Sequence, residues 1–183
     1  MTHPITRQAA ADLDVSVIAR TLWEIEQIKQ LKARYFRFVD TRDWDGVVAL
    51  FSPDCVLHST LFPEARHPGD FFARVASMIT PGTSVHHGHM PEITLTSGET
   101  ATGIWAMYDY VEADDGSVGY HGYGHYHESY LKDPERGWLI SRFELRRLRL
   151  DWFAGGPGSV RRDGQLGGHP AIGQRGERPN GAA

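Results

Sequence analysis

Four stretches rich in Val, Ile, Tyr, Trp and Thr occupy 85–96, 101–112, 119–132 and 138–152. Short links carrying the turn signals Ser97-Gly98, Asp114-Asp115-Gly116 and Asp133-Pro134-Glu135-Arg136-Gly137 separate them. None of these links can hold a crossover helix, which parallel neighbours need, whereas each suits a hairpin. The second half of the chain is therefore constrained to a meander of antiparallel strands. Such a sheet needs one face covered, and the covering has to come from the residues before it.

Those residues read as helices. From about 14 to 39, Val17, Ile18, Leu22, Ile25, Ile28, Leu31, Tyr35 and Phe38 recur at spacings of three and four, marking one long amphipathic helix. Asp43 is placed to cap a second, short helix carrying Val47, Val48, Leu50 and Phe51, ended by Pro53. A strand is expected over 55–60 and a third helix over 70–79, stopped by Pro81-Gly82. Helices first and a meander afterwards define an α+β class, with the helices on one face of a curved sheet and a pocket between the layers. Three regions follow: an extension over 1–14, one domain over 15–153, and a tail over 154–183. The tail holds nine Gly and three Pro and has too few apolar groups to offset its ordering entropy.

Composition narrows the function classes. The chain has 183 residues, and its 19 basic against 23 acidic side chains give a net charge of −4, which argues against a nucleic-acid partner. No run of ~18 apolar residues is present, as a membrane helix requires, and 1–14 lacks the basic start and apolar run of a secretory signal. A cytoplasmic location and no membrane partner are the expectation. Cys55 is the only cysteine, which excludes an internal disulfide and a Cys-based zinc site.

Two sets of residues could carry chemistry. Of the ten histidines, His86, His87 and His89 open one strand and His121, His125 and His127 lie on another. Alternation puts His125 with His127, and His87 with His89, on common faces, while His86 points the other way. An H-x-H pair is able to bind a metal, but the positions four and five beyond are Leu131 and Lys132, so no third ligand follows, and no metal is assigned. The second set starts at Asp40, where the long helix gives way to a polar run. The residue reads either as a helix-end carboxylate or as one aimed at the sheet, where it would accept a hydrogen bond from His86 and fix its tautomer. Trp44, Phe62, Phe71, Phe72, Met78, Met90, Trp105, Met107 and Tyr126 are enough to line an apolar cavity, or simply to fill a core.

The stretches IKQLKARYFRFVDTRDWDGVVALFSPDCVLH (28–58), VHHGHMPEITL (85–95), TATGIWAMYDYV (100–111) and GYGHYHESYLKDPERGWLISRFELRRLRLDW (122–152) resemble, in order, the SnoaL-like proteins of the nuclear transport factor 2 (NTF2-like) superfamily. The resemblance spans most of 15–153. It implies a cone: a strongly curved mixed or antiparallel sheet wrapped around a long N-terminal helix and two shorter ones. Within the superfamily the chain is most similar to the scytalone dehydratase and bile-acid 7α-dehydratase types. By that resemblance Asp40 is the acid after the long helix, His86 the histidine opening the long hairpin, and Tyr35 the tyrosine five before the acid. Asp109 falls on the carboxylate late in the next strand, and Arg149, or Arg147 if the register differs by two, on the arginine of the last. The scytalone type has a tyrosine where Val39 stands, and its second histidine meets Tyr110 or Val111. The bile-acid-type set is the one that is complete here.

The resemblance implies a lyase or isomerase of dehydratase type that needs no metal or organic cofactor. Asp40, His86 and Tyr35 would be catalytic; Asp109 and Arg149 would either form a structural ion pair or fix a polar group of the substrate, with Tyr126, Trp105 and Met90 also holding it. Histidine suits such work because its unperturbed pKa of ~6.5 lies near working pH. The expected substrate is a small hydrophobic molecule containing a ring, and a homodimer or homotrimer is the expected assembly. The alternative within the same superfamily is a non-catalytic binding or assembly module, and outside it a metal protein built on His125 and His127.

Overall fold

The computed structural model describes residues 14–59 and 67–154. Phe62, Thr60 and almost all of the 154–183 tail lie outside them, as does most of the 1–14 extension. Eight elements follow in order: α1 Val15–Thr41, α2 Trp44–Val48, β1 Phe51–Ser59, α3 Pro68–Ile79, β2 Thr83–Leu95, β3 Thr100–Glu112, β4 Val118–Asp133 and β5 Gly137–Ala154. The strands form one sheet in the order β1-β5-β4-β3-β2. The four predicted strands are the meander, antiparallel throughout, and β1 adds to its far edge parallel to β5.

The helix ends follow the capping chemistry. Asp14 Oδ1 accepts from Ser16 N at 2.8 Å at the start of α1, and Asp43 Oδ1 accepts from Gly46 N at 2.9 Å at the start of α2. Arg42 terminates α1 in the left-handed region (φ 63°). Pro53 does not end α2, which stops at Val48. It lies within β1, where the pairing with β5 is interrupted between Phe51 and Val56. An edge strand tolerates a proline there because no partner needs its missing N–H.

The apolar stripe of α1 is buried only over its second part. Ile28, Leu31, Tyr35 and Val39 lie in the core, whereas Val17, Leu22 and Trp23 are exposed. The sheet ends where Lys132 Nζ (2.6 Å) and Trp138 Nε1 (2.7 Å) bind the Glu24 carboxylate, so the first turns of α1 project past its support. Burying a Leu or Ile contributes about 2 kcal/mol each, so packing on the sheet, not propensity, holds the helix.

Two irregularities decide which side chains face inwards. Between His89 and Glu92 the pairing of β2 with β3 shifts around Met90, whose φ is 36°. On β5, Arg147 pairs Gly124 while Arg149 pairs Tyr123, so Leu148 is an extra residue. Such a bulge reverses the alternation beyond it.

Candidate active site

The concave face of the sheet, α1 and α3 enclose a pocket of about 60 Å³ lined by Tyr35, Val39, Ser59, Phe71, Val75, Met78, Ile79, His86, Asp109, Val111, Tyr120, Tyr126, Phe143, Leu145 and Arg147. It opens to solvent at one side. Asp40, in the last turn of α1, reaches across to β2. Its Oδ1 lies 2.6 Å from His86 Nδ1, its Oδ2 accepts from the His86 backbone N–H at 2.9 Å, and Ser84 Oγ donates to Oδ1 at 3.0 Å. The His86 side chain is 10 % exposed. An ionised carboxylate only accepts, so this geometry assigns the proton to Nδ1 and leaves the Nε2 lone pair free for a proton.

Directly across the sheet from His86 stands Asp109. It is 1 % exposed and is gripped in bidentate fashion by Arg147, with Nη1 to Oδ1 at 3.1 Å and Nη2 to Oδ2 at 2.7 Å. Burial opposes the guanidinium's charge, but the Asp109 carboxylate outweighs it and holds the Arg147 pKa above its ordinary value. Among the described residues the buried Arg147 Nε has no hydrogen-bond partner. Gly122 makes room for the pair, since a Cβ there would sit 1.8 Å from Asp109 Oδ1 and 2.2 Å from Arg147 Nη1.

Tyr35 and Tyr126 form the floor. Their rings meet edge to face at 6.0 Å. Burial, reinforced for Tyr35 by the Glu128 charge and for Tyr126 by Tyr35 itself, pushes both phenols above the ordinary tyrosine value, so both keep their protons. Beneath them Lys32 and Glu128, each wholly buried, pair at 2.5 Å. The Lys32 ammonium lies 3.5 Å from the Tyr126 ring centre and 4.2 Å from that of Tyr35. Tyr130 donates to the other Glu128 oxygen and accepts from Trp105 Nε1 at 2.8 Å. Burial lowers the Lys32 pKa to about 8, against the opposing pull of Glu128.

The structure thus brings together Asp40, His86, Tyr35, Tyr126 and Asp109. It corrects three expectations. Arg149 is exposed on the opposite face, paired with Asp151 at 2.5 Å, because the bulge at Leu148 turns it outwards, and Arg147 takes the place beside Asp109. Met90 is 92 % exposed at the bulge and lines nothing. Trp105 is buried away from the pocket, its indole N–H spent on Tyr130. Of the nine apolar candidates, Phe71, Met78 and Tyr126 line the pocket, and Phe62 lies outside the described residues. The histidine pairs face the convex side, with ring centres 5.8 Å apart for His87–His89 and 6.4 Å for His125–His127. Among the described residues no group of three His, Cys, Asp or Glu is arranged to hold a metal. Lys32 and Glu128 were not singled out by sequence reading. The available signals were a lysine four residues after Ile28 on the apolar stripe, and a glutamate alternating with Tyr126 and Tyr130.

This fold is that of a known class. The family model described as the SnoaL-like domain matches residues 20–144, and the chain belongs to that family, within the NTF2-like superfamily. Among solved structures it is similar to a scytalone dehydratase-like protein of Novosphingobium aromaticivorans (TM-score 0.66, 20 % identity, 75 % of this chain and 94 % of that one). It is also similar to a type 2 hexachlorocyclohexane dehydrochlorinase, LinA (0.66, 15 %, 74 % and 93 %). A third is an NTF2-like protein with a cystatin-like fold from N. aromaticivorans (0.62, 22 %, 74 % and 90 %). At these identities the likeness is one of fold. No helix among the described residues is long and apolar enough to cross a membrane.

Proposed function

We propose that the protein is an acid–base lyase or isomerase in which His86, held by Asp40, moves a proton to and from carbon. The observation that carries this reading is the 2.6 Å contact between His86 Nδ1 and Asp40, with His86 lining a pocket walled mainly by apolar and aromatic side chains beside the Asp109–Arg147 pair. In an elimination next to a carbonyl, Nε2 removes the carbon-bound proton and the C–H electron pair forms the new double bond. The leaving group departs from the adjacent carbon with its own electron pair. Where that group is hydroxide, the same imidazolium returns the proton to it and water leaves. Tyr35, protonated by virtue of its burial, offers an O–H to oxygen on which negative charge develops. Two structural relatives bear names of eliminating enzymes, one removing water and one hydrogen chloride, which supports the same class here.

Charge and size limit the substrate. Asp40, Asp109 and Arg147 sum to −1 with neutral His86, which disfavours an anion in the pocket. An enclosed volume of about 60 Å³ is less than half the ~150 Å³ cavity that holds benzene. The reacting carbons of a neutral, hydrophobic ring compound therefore enter, and the remainder sits at the mouth against Met78 and Tyr120. Incubation with a panel of cyclic β-hydroxy ketones and halogenated rings, followed by mass spectrometry, tests the reading. Loss of 18 or 36 mass units that falls at least ~100-fold in His86→Gln is the expected outcome. Saturable binding of the panel with no turnover would replace it with the binding-module reading.

A further inference from the structure

We infer that Arg42 is the positioning residue of the Asp40–His86 pair, acting through Ser84. This rests on the reading of that pair as the reacting dyad. Arg42 ends α1 with φ 63° and ψ 27°, a conformation for which glycine is the favoured residue and which a side chain adopts at a penalty. Terminating the helix does not require the guanidinium, so its contacts identify what it does. Nη1 donates to Val39 O at 2.8 Å and to Ser84 Oγ at 2.6 Å, and Nη2 donates to Ile79 O and Gly82 O, both at 2.8 Å. One planar fork thereby ties together the end of α1, the end of α3 and the entry to β2. These are the three segments that carry Asp40, the pocket-wall residue Ile79 and His86.

The serine converts that clamp into a directed relay. A hydroxyl has one proton, and because Ser84 Oγ accepts from Arg42, its proton goes to Asp40 Oδ1. Asp40 then receives Ser84 and His86 Nδ1 on one oxygen and the His86 amide on the other. Three donors from two residues fix the carboxylate plane. Without Ser84 both remaining donors belong to His86, and the carboxylate loses the donor that braces it independently of the histidine. A lysine would carry the same charge without the fork and cannot span four acceptors.

The test uses the full chain with ¹⁵N-labelled histidine at pH 7 and needs no substrate. Long-range ¹H–¹⁵N spectra of the wild type are expected to show His86 protonated at Nδ1, with a downfield, slowly exchanging proton. Arg42→Gly keeps the backbone conformation and deletes the fork, Ser84→Ala deletes the relay, and Asp40→Asn marks a lost partner. In Arg42→Gly and Ser84→Ala the proton should exchange at least tenfold faster while the amide spectrum keeps its native dispersion, and Arg42→Lys should not restore it. An unchanged proton in Ser84→Ala overturns the inference, and this variant decides alone if Arg42→Gly does not fold. Failure of the functional reading is distinct, because the wild type would then show the held proton and yet eliminate nothing from the substrate panel.

Discussion

Removing one member of the buried Lys32–Glu128 pair should destabilise the protein far more than removing both. Each side chain is 0 % exposed and they touch at 2.5 Å, so a single replacement strands a charge in the aromatic box of Tyr35, Tyr126 and Phe143. Breaking such a pair costs about 3–5 kcal/mol, and exchange of both partners for apolar groups is often neutral. In Glu128→Leu there is an upper limit, because the stranded lysine can shed its proton. Doing so at pH 7, from an unfolded-state value of 10.5, costs about 5 kcal/mol at ~1.4 kcal/mol per pH unit. The sign follows: the unfolded chain then holds a proton that the folded state lacks, so stability rises with pH up to about 10.5. Urea denaturation should show Glu128→Leu about 3–5 kcal/mol less stable than wild type at pH 7 and about 1 kcal/mol closer to it at pH 9, because wild-type Lys32, at about 8, also sheds its proton over that range. Lys32→Met/Glu128→Leu should come within about 2 kcal/mol of wild type, the remainder reflecting the lost Tyr130 acceptor. A double variant as unstable as the sum of the singles, or a pH-insensitive Glu128→Leu, would refute the reasoning.

Three further outcomes are expected. Gly122→Ala should break the Asp109–Arg147 grip, since its Cβ overlaps both side chains, and destabilise the fold by about 2–4 kcal/mol in thermal unfolding; an effect under 0.5 kcal/mol would contradict the contact. Met90→Gly should stabilise by about 0.5–1 kcal/mol, because it relieves φ 36° at an exposed position without removing any packing. Burial raises the pKa of Tyr35, Tyr126 and Tyr130 and pushes Tyr110 up to about 12, so at least these four of the seven tyrosines should stay largely un-ionised at pH 11 in 295 nm absorbance. Their folded values lie above the unfolded ones, so the stability they contribute is lost as pH rises beyond about 10.

The parts of this molecule governed by periodicity were legible in the sequence. The meander, α1, α3 and the Asp43 cap all follow from spacing and turn chemistry, and Asp40 and His86 were readable as a pair because helix end and strand start fix their placement. What was not legible depends on single-residue irregularities. Uninterrupted alternation gives Arg147 and Arg149 the same face, and only the extra residue at Leu148 separates them. Met90 reads as a strand residue of an apolar run, yet a left-handed φ puts it in solvent. Trp105 faces inwards as alternation demands, but its neighbour is Tyr130 and not the pocket, which depends on how the sheet curves. β1 pairs with the last strand across 86 residues of sequence, from Val56 to Arg142, a contact no local pattern encodes.

The central claim is that His86 and Asp40 work as one unit, and a double-mutant cycle on the eliminated substrate tests it most directly. Groups acting together are strongly non-additive. His86→Gln and Asp40→Asn should each lower kcat/KM at least ~100-fold, and the double variant should fall no further than the worse single. Losses that multiply across the two sites, or a single variant that keeps wild-type turnover, would contradict the account.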